Sequence, residues 1–124
     1  GIGIDYQRLD RPTADAGQLS AVGDAERQRF LAGLVDVEQD RAIAALTSAK
    51  RAAARAAGLA DHSASSDWQV VDGAVPRAAA PVGAVLVRHA GADHAVALHL
   101  GPNEVFALSL LSLSASSGPR AAVA

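Results

Sequence analysis

Three groups of residues in this chain have chemistry to offer. Asp5 closes the run Gly1-Ile2-Gly3-Ile4-Asp5, where a carboxylate is either an oxygen ligand for a hard cation or an ordinary strand-end acid. Lys50, Arg51 and Arg55 share one helical stretch. They either hold phosphate groups or form a solvated basic face near a helix C-terminus, where the dipole favours cations. His89 and His94 flank a turn, and His99 lies an odd number of residues beyond His94, on the opposite face of a strand. Two imidazoles without a third ligand do not make a zinc site. The absence of cysteine excludes thiolate metal sites, cysteine nucleophiles and disulfides. No Gly-x-Ser-x-Gly marks a serine nucleophile.

The elements that must position these groups follow from pattern and punctuation. Residues 1–61 hold 8 of the 11 Lys and Arg and 9 of the 13 Asp and Glu, while the rest is apolar with Gly, Pro and Ser between. That split predicts helices first and sheet second, an α+β arrangement. A short strand at residues 1–5 is broken at 10–13. Asp24 is a good N-cap, with Glu26 in the first turn where the dipole favours it, and a short helix covers 27–34. A longer helix spans 36–57 with the stripe Ile43, Leu46, Lys50, Ala53, Ala57, closed by Gly58 as a left-handed cap. Lys50 interrupts that stripe, its stem covering apolar surface while its ammonium reaches out. After a polar loop at 62–66, strands are expected at 67–72, 76–80, 83–89, 94–100 and 105–113. The 76–80 strand is an edge strand because it begins at a proline, and the last is apolar on both faces and so buried. Trp68, the sole tryptophan, belongs to core or rim. Residues 114–124 read as a tail or linker after a domain at 1–113.

Together these segments resemble the 4′-phosphopantetheinyl transferases. Gly1-Ile2-Gly3-Ile4-Asp5 looks like that family's metal-binding strand. Thr47-Ser48-Ala49-Lys50-Arg51-Ala52-Ala53-Ala54-Arg55-Ala56-Ala57-Gly58 resembles its helical Ala-Lys-Glu-Ala-x-x-Lys-Ala-x-Gly signature without a gap. Asp67-Trp68-Gln69-Val70-Val71-Asp72-Gly73, followed by Pro76-Arg77, resembles the strand and turn after the helix, and residues 101–111 the closing strand. The order and spacing fit the small holo-acyl-carrier-protein-synthase type or half of the two-lobed type. The resemblance implies a transferase-like fold with an N-terminal strand, two helices and an antiparallel sheet. In active members, coenzyme A and Mg²⁺ bind in a cleft and a carrier-protein serine takes the phosphopantetheine arm. It places the metal at Asp5 and the coenzyme A phosphates at Lys50, Arg51 and Arg55, with Lys50 the catalytic candidate if activity survives.

Two positions depart from that pattern. The helix glutamate is replaced by Arg51, and the second strand carboxylate by Gln7. A guanidinium about 4 Å from a divalent ion repels it by several kcal/mol at an effective dielectric of about 20. The expectation is therefore a degenerate domain, with no catalytic residue and no cofactor, in which Arg51 pairs with Asp5. Its role is structural or oligomerising, in a carrier-protein-dependent polyketide or fatty acid synthase. The alternatives are an active synthase that uses coenzyme A and Mg²⁺, and an unrelated α+β interaction module.

Partners follow from composition and from the resemblance. Aromatic residues make up 3% of the chain, so the Ala, Val and Leu core buries modest area. Oligomerisation or flanking domains are expected to assist it. The Ala-rich helix either forms an interface between copies or reflects helix propensity alone. A net charge of −2 argues against a nucleic-acid surface. No apolar run is long enough for a membrane helix, and no export signal begins the chain, which points to the cytoplasm. The Met-less start suggests a piece of a longer polypeptide. The resemblance names an acyl carrier protein or neighbouring synthase domains as partners.

Overall fold

The computed structural model describes residues 2–8, 22–58, 68–77 and 79–110. The break at 10–13, the loop at 62–66 and the tail at 114–124 lie outside them. The architecture is α+β. Strand β1 (Ile2–Arg8) is followed by the short helix α1 (Asp24–Glu26), which continues as a π-helical turn at Arg27–Leu31, and by the long helix α2 (Asp36–Ala56). Four strands complete it: β2 (Gln69–Ala74), β3 (Val82–His89), β4 (Ala92–Leu100) and β5 (Glu104–Leu110). They form one antiparallel sheet of five strands in the order β1-β5-β4-β3-β2. No helix among the described residues is long and apolar enough to cross a membrane.

Helix α2 is the centre of the core. It touches all five strands, and every residue from Ala42 to Lys50 is buried. The single stripe read from its sequence therefore understates its burial: small alanines let surrounding structure close on every side. The polar residues within this stretch are satisfied. Thr47 donates to the Ile43 carbonyl at 2.7 Å. The Gln7 amide of β1 donates to the Ala44 carbonyl at 3.1 Å and to Ser48 Oγ at 2.8 Å. The helix ends as expected, with Gly58 at φ +77°.

Strand β1 reverses the usual alternation. Gly3, Asp5 and Gln7 face inward, while Ile2, Ile4, Tyr6 and Arg8 face outward. Gly3 is the reason the strand can lie so close to α2. A Cβ there would overlap the Ala52 carbonyl and stand 2.5 Å from the Ala56 nitrogen. The polar side chains bond to the helix, and the isoleucines are left on the outer face.

Several expectations need correction. Strand β1 runs on to Arg8, so Asp5 lies within the strand rather than at its end. The segment at 76–80 is no strand: Arg77 and Ala80 exchange backbone hydrogen bonds across a tight turn. The edge strand is β2, which carries a bulge between Val70 and Asp72. The β3–β4 turn contains only Ala90 and Gly91, both with positive φ. In β5, Val105, Ala107 and Ser109 are buried but Phe106 and Leu108 are exposed, so it is not buried on both faces.

Candidate functional site

The metal and phosphate candidates of the sequence fall into two separate clusters. In the first, Asp5 is 4% exposed and meets two arginines of the helix. Arg55 Nη1 donates to Asp5 Oδ1 at 2.7 Å and to the Ile4 carbonyl at 2.6 Å. Arg51 Nη1 stands 3.9 Å from Asp5 Oδ2, which accepts no hydrogen bond. The expected Arg51–Asp5 pair is thus secondary, because Arg55, one helical turn further on, takes the carboxylate directly. Both arginines remain partly exposed.

This donor set does not fit a magnesium ion. Mg²⁺ needs octahedral oxygen ligands and binds through one or two carboxylates. Here one carboxylate is bonded to a guanidinium, its free oxygen faces a second guanidinium, and Gln7 is committed to α2. Among the described residues, no three His, Asp or Glu side chains gather as a metal-binding group.

The second cluster holds Lys50. Its ammonium does not reach solvent, contrary to expectation: the side chain is 1% exposed and Nζ donates to Glu26 Oε1 at 2.8 Å. Glu26 also accepts from the Gly23 amide at 2.9 Å and, through Oε2, from the Val70 amide at 2.7 Å. One buried carboxylate therefore caps α1, neutralises the lysine of α2 and occupies an edge amide of β2. Sequence reasoning placed Glu26 at a helix start but missed this role. The available signal was Lys50 itself, since a lysine within an apolar stripe requires an acid partner if its head is buried.

Above this pair lies a cleft of about 480 Å³ between α1 and β2, lined by Gly23, Gln28, Arg29, Trp68 and Gln69. Arg29 closes one side by pairing with Asp72 at 2.7 Å. With Lys50 and Arg29 both neutralised, the cleft offers no free cation for a phosphate from either of them.

Trp68 is fully buried and stacks on His89, with ring centroids 3.8 Å apart. His94 approaches the same indole at 5.9 Å. The two histidines share the inner sheet face but are not register partners, since Val87 faces His94 and His89 faces Ala92. Exposed His99 occupies the outer face, as its spacing predicts. Burial holds the His94 imidazole below its ordinary value of 6.5, His89 adds to the shift and Asp93 opposes it. The unfolded chain therefore takes up a proton at higher pH than the native state does. This contribution to stability is complete above about 6.5 and falls as pH drops through that value toward the native one. The thermal midpoint is expected to decrease between about pH 7.5 and about pH 5.5, with a shallower slope in His94→Gln. Identical slopes for the two proteins would show that His94 is not responsible.

No protein-family model matches this chain, and no curated protein or solved structure does.

Proposed function

We propose that this chain works by assembly rather than by catalysis. In this reading it is a phosphopantetheinyl transferase-like domain, catalytically silent, with a structural or oligomerising role in a carrier-protein-dependent synthase of the polyketide or fatty acid type. An acyl carrier protein or the neighbouring synthase domains are its partners. The order of strand, helices and antiparallel strands supports the family reading, as do the segments that resemble its motifs.

The observation that carries the silent reading is the 2.7 Å Arg55–Asp5 pair, which occupies the one acid present at the positions where the resemblance places metal ligands. The burial of Lys50 on Glu26 points the same way, because it commits the signature lysine to the core.

The test is direct. An apo carrier protein is incubated with this chain, coenzyme A and Mg²⁺, then weighed by mass spectrometry. No phosphopantetheine adduct is expected, and an adduct would refute the silent reading. Calorimetry adds a second measurement. Arg51→Glu alone leaves Asp5 bound to Arg55 and should take up no Mg²⁺. Arg51→Glu combined with Arg55→Gln presents two free carboxylates and should show binding.

A further inference from the structure

The outer face of the sheet carries apolar side chains where a free surface would carry polar ones. Ile2, Ile4 and Tyr6 of β1, Phe106 and Leu108 of β5, and Val82 of β3 are all at least 42% exposed. The register makes those of β1 and β5 neighbours: Ile4 faces Leu108, Tyr6 faces Phe106, and Leu108 faces Ala97, while Val82 faces His99. Tyr6 and Phe106 touch, with ring centroids 4.8 Å apart. Contiguous apolar surface of this kind marks an interaction site.

Both edges of the sheet, by contrast, are guarded. Arg55 bonds the Ile4 carbonyl of β1, and Glu26 bonds the Val70 amide of β2, beside a bulge. Charged side chains and bulges at edges discourage pairing with another chain's strand. Association is therefore directed to the face.

The charges on that face select the partner. Arg8 faces Glu104 at one end of β1 and β5. Arg88 bonds Asp93 at 2.8 Å at the other end of β3 and β4. The two opposed pairs stand at diagonal corners, and among the described residues of β1, β5, β4 and β3 the face between them carries no other acidic or lysine/arginine side chain. Asp72 of the edge strand β2, opposite Leu86, is paired with Arg29. A partner with the same layout meets no net repulsion. We propose that the partner is a second copy of this chain, stacked outer face on outer face. With strands of the two copies aligned, each charged corner would lie over the apolar corner at Ile2 or Val82. With strands crossed near 90°, a known mode of sheet packing, charged corners lie over charged corners. The crossed arrangement is the one assigned, with Leu108 and Ala97 near the two-fold axis.

This inference deepens the assembly reading and rests on it. Sedimentation at on the order of 100 µM chain should give twice the 12.5 kDa chain mass. Phe106→Glu buries an unpaired charge in the interface and should weaken dimerisation about 100-fold. Leu108→Lys should do the same, and circular dichroism checks that each variant folds. Because the chain has no cysteine, Ala97→Cys treated with a short bifunctional maleimide should link to itself, while the exposed control Ala32→Cys should not. A monomeric wild type overturns the proposal, including one whose outer-face amides are covered by another segment of the chain. Equal linking through both cysteines also overturns it. Phosphopantetheine transfer by a dimer would overturn catalytic silence and leave the interface standing.

Discussion

Glu26→Ala is expected to lower the unfolding free energy by about 3–5 kcal/mol, the usual cost of breaking a buried ion pair from one side. Total stability for a domain is about 5–15 kcal/mol, so the variant should lose a fifth or more of it. The substitution strips three donors of their acceptor at once: the Lys50 ammonium, the Gly23 amide and the Val70 amide. The ammonium is the costliest of these, because its side chain is 1% exposed and a lone buried charge has no water to replace its partner. Lys50→Met should cost less. It leaves the carboxylate with two backbone donors and fills the stem's volume with apolar atoms. Combining Lys50→Met with Glu26→Gln removes both charges and should recover much of the loss, since well-packed neutral replacements of buried pairs are often neutral or stabilising. Urea unfolding of the two single variants and the double gives the coupling energy. A Glu26→Ala midpoint within about 1 kcal/mol of wild type would mean that the pair does not hold α1, α2 and β2 together.

Gly3→Ala should be comparably damaging for a different reason. Its Cβ would overlap the Ala52 carbonyl and approach the Ala56 nitrogen to 2.5 Å. Both are backbone atoms of α2, so no side chain can turn aside. Strand β1 must move away from the helix, which stretches the bonds of Gln7 to Ala44 and Ser48 and that of Asp5 to Arg55. Overpacking of this type costs about 1–3 kcal/mol in cores that can relax, and here the upper end or beyond is expected. Gly91→Ala provides the contrast. That glycine has φ +81° but open space around it, so only the left-handed backbone penalty of about 1–2 kcal/mol applies. Urea midpoints that rank Gly91→Ala below Gly3→Ala would contradict the close approach of β1 to α2.

The limits of α2, its Gly58 cap and the β3–β4 hairpin were legible in the sequence because each rests on local signals: helical spacing, a positive-φ glycine and a turn between apolar runs. Strand β1 was legible as a strand but not in its facing. An isoleucine in a strand is ordinarily read as pointing inward, yet Gly3, Asp5 and Gln7 take that side. The choice was made by the neighbouring helix, which accepts no side chain at position 3 and offers bonding partners at Ala44, Ser48 and Arg55.

The candidate site divides in the same way. The Asp5 carboxylate and the arginine at position 51 stood out as a clash with magnesium chemistry, because charge type is written in the residues themselves. That Arg55 takes Asp5 and that Lys50 turns inward to Glu26 depended on elements far apart in the chain. Glu26 lies 24 residues before Lys50 and 44 before Val70, and no local pattern links the three. By itself the sequence determined the α+β class and the bounds of α2, and it put an arginine at position 51, where the resemblance calls for an acid. Only the tertiary structure decided which cation meets which anion and which face of the sheet remains apolar, because both depend on packing between segments whose separation no periodicity records.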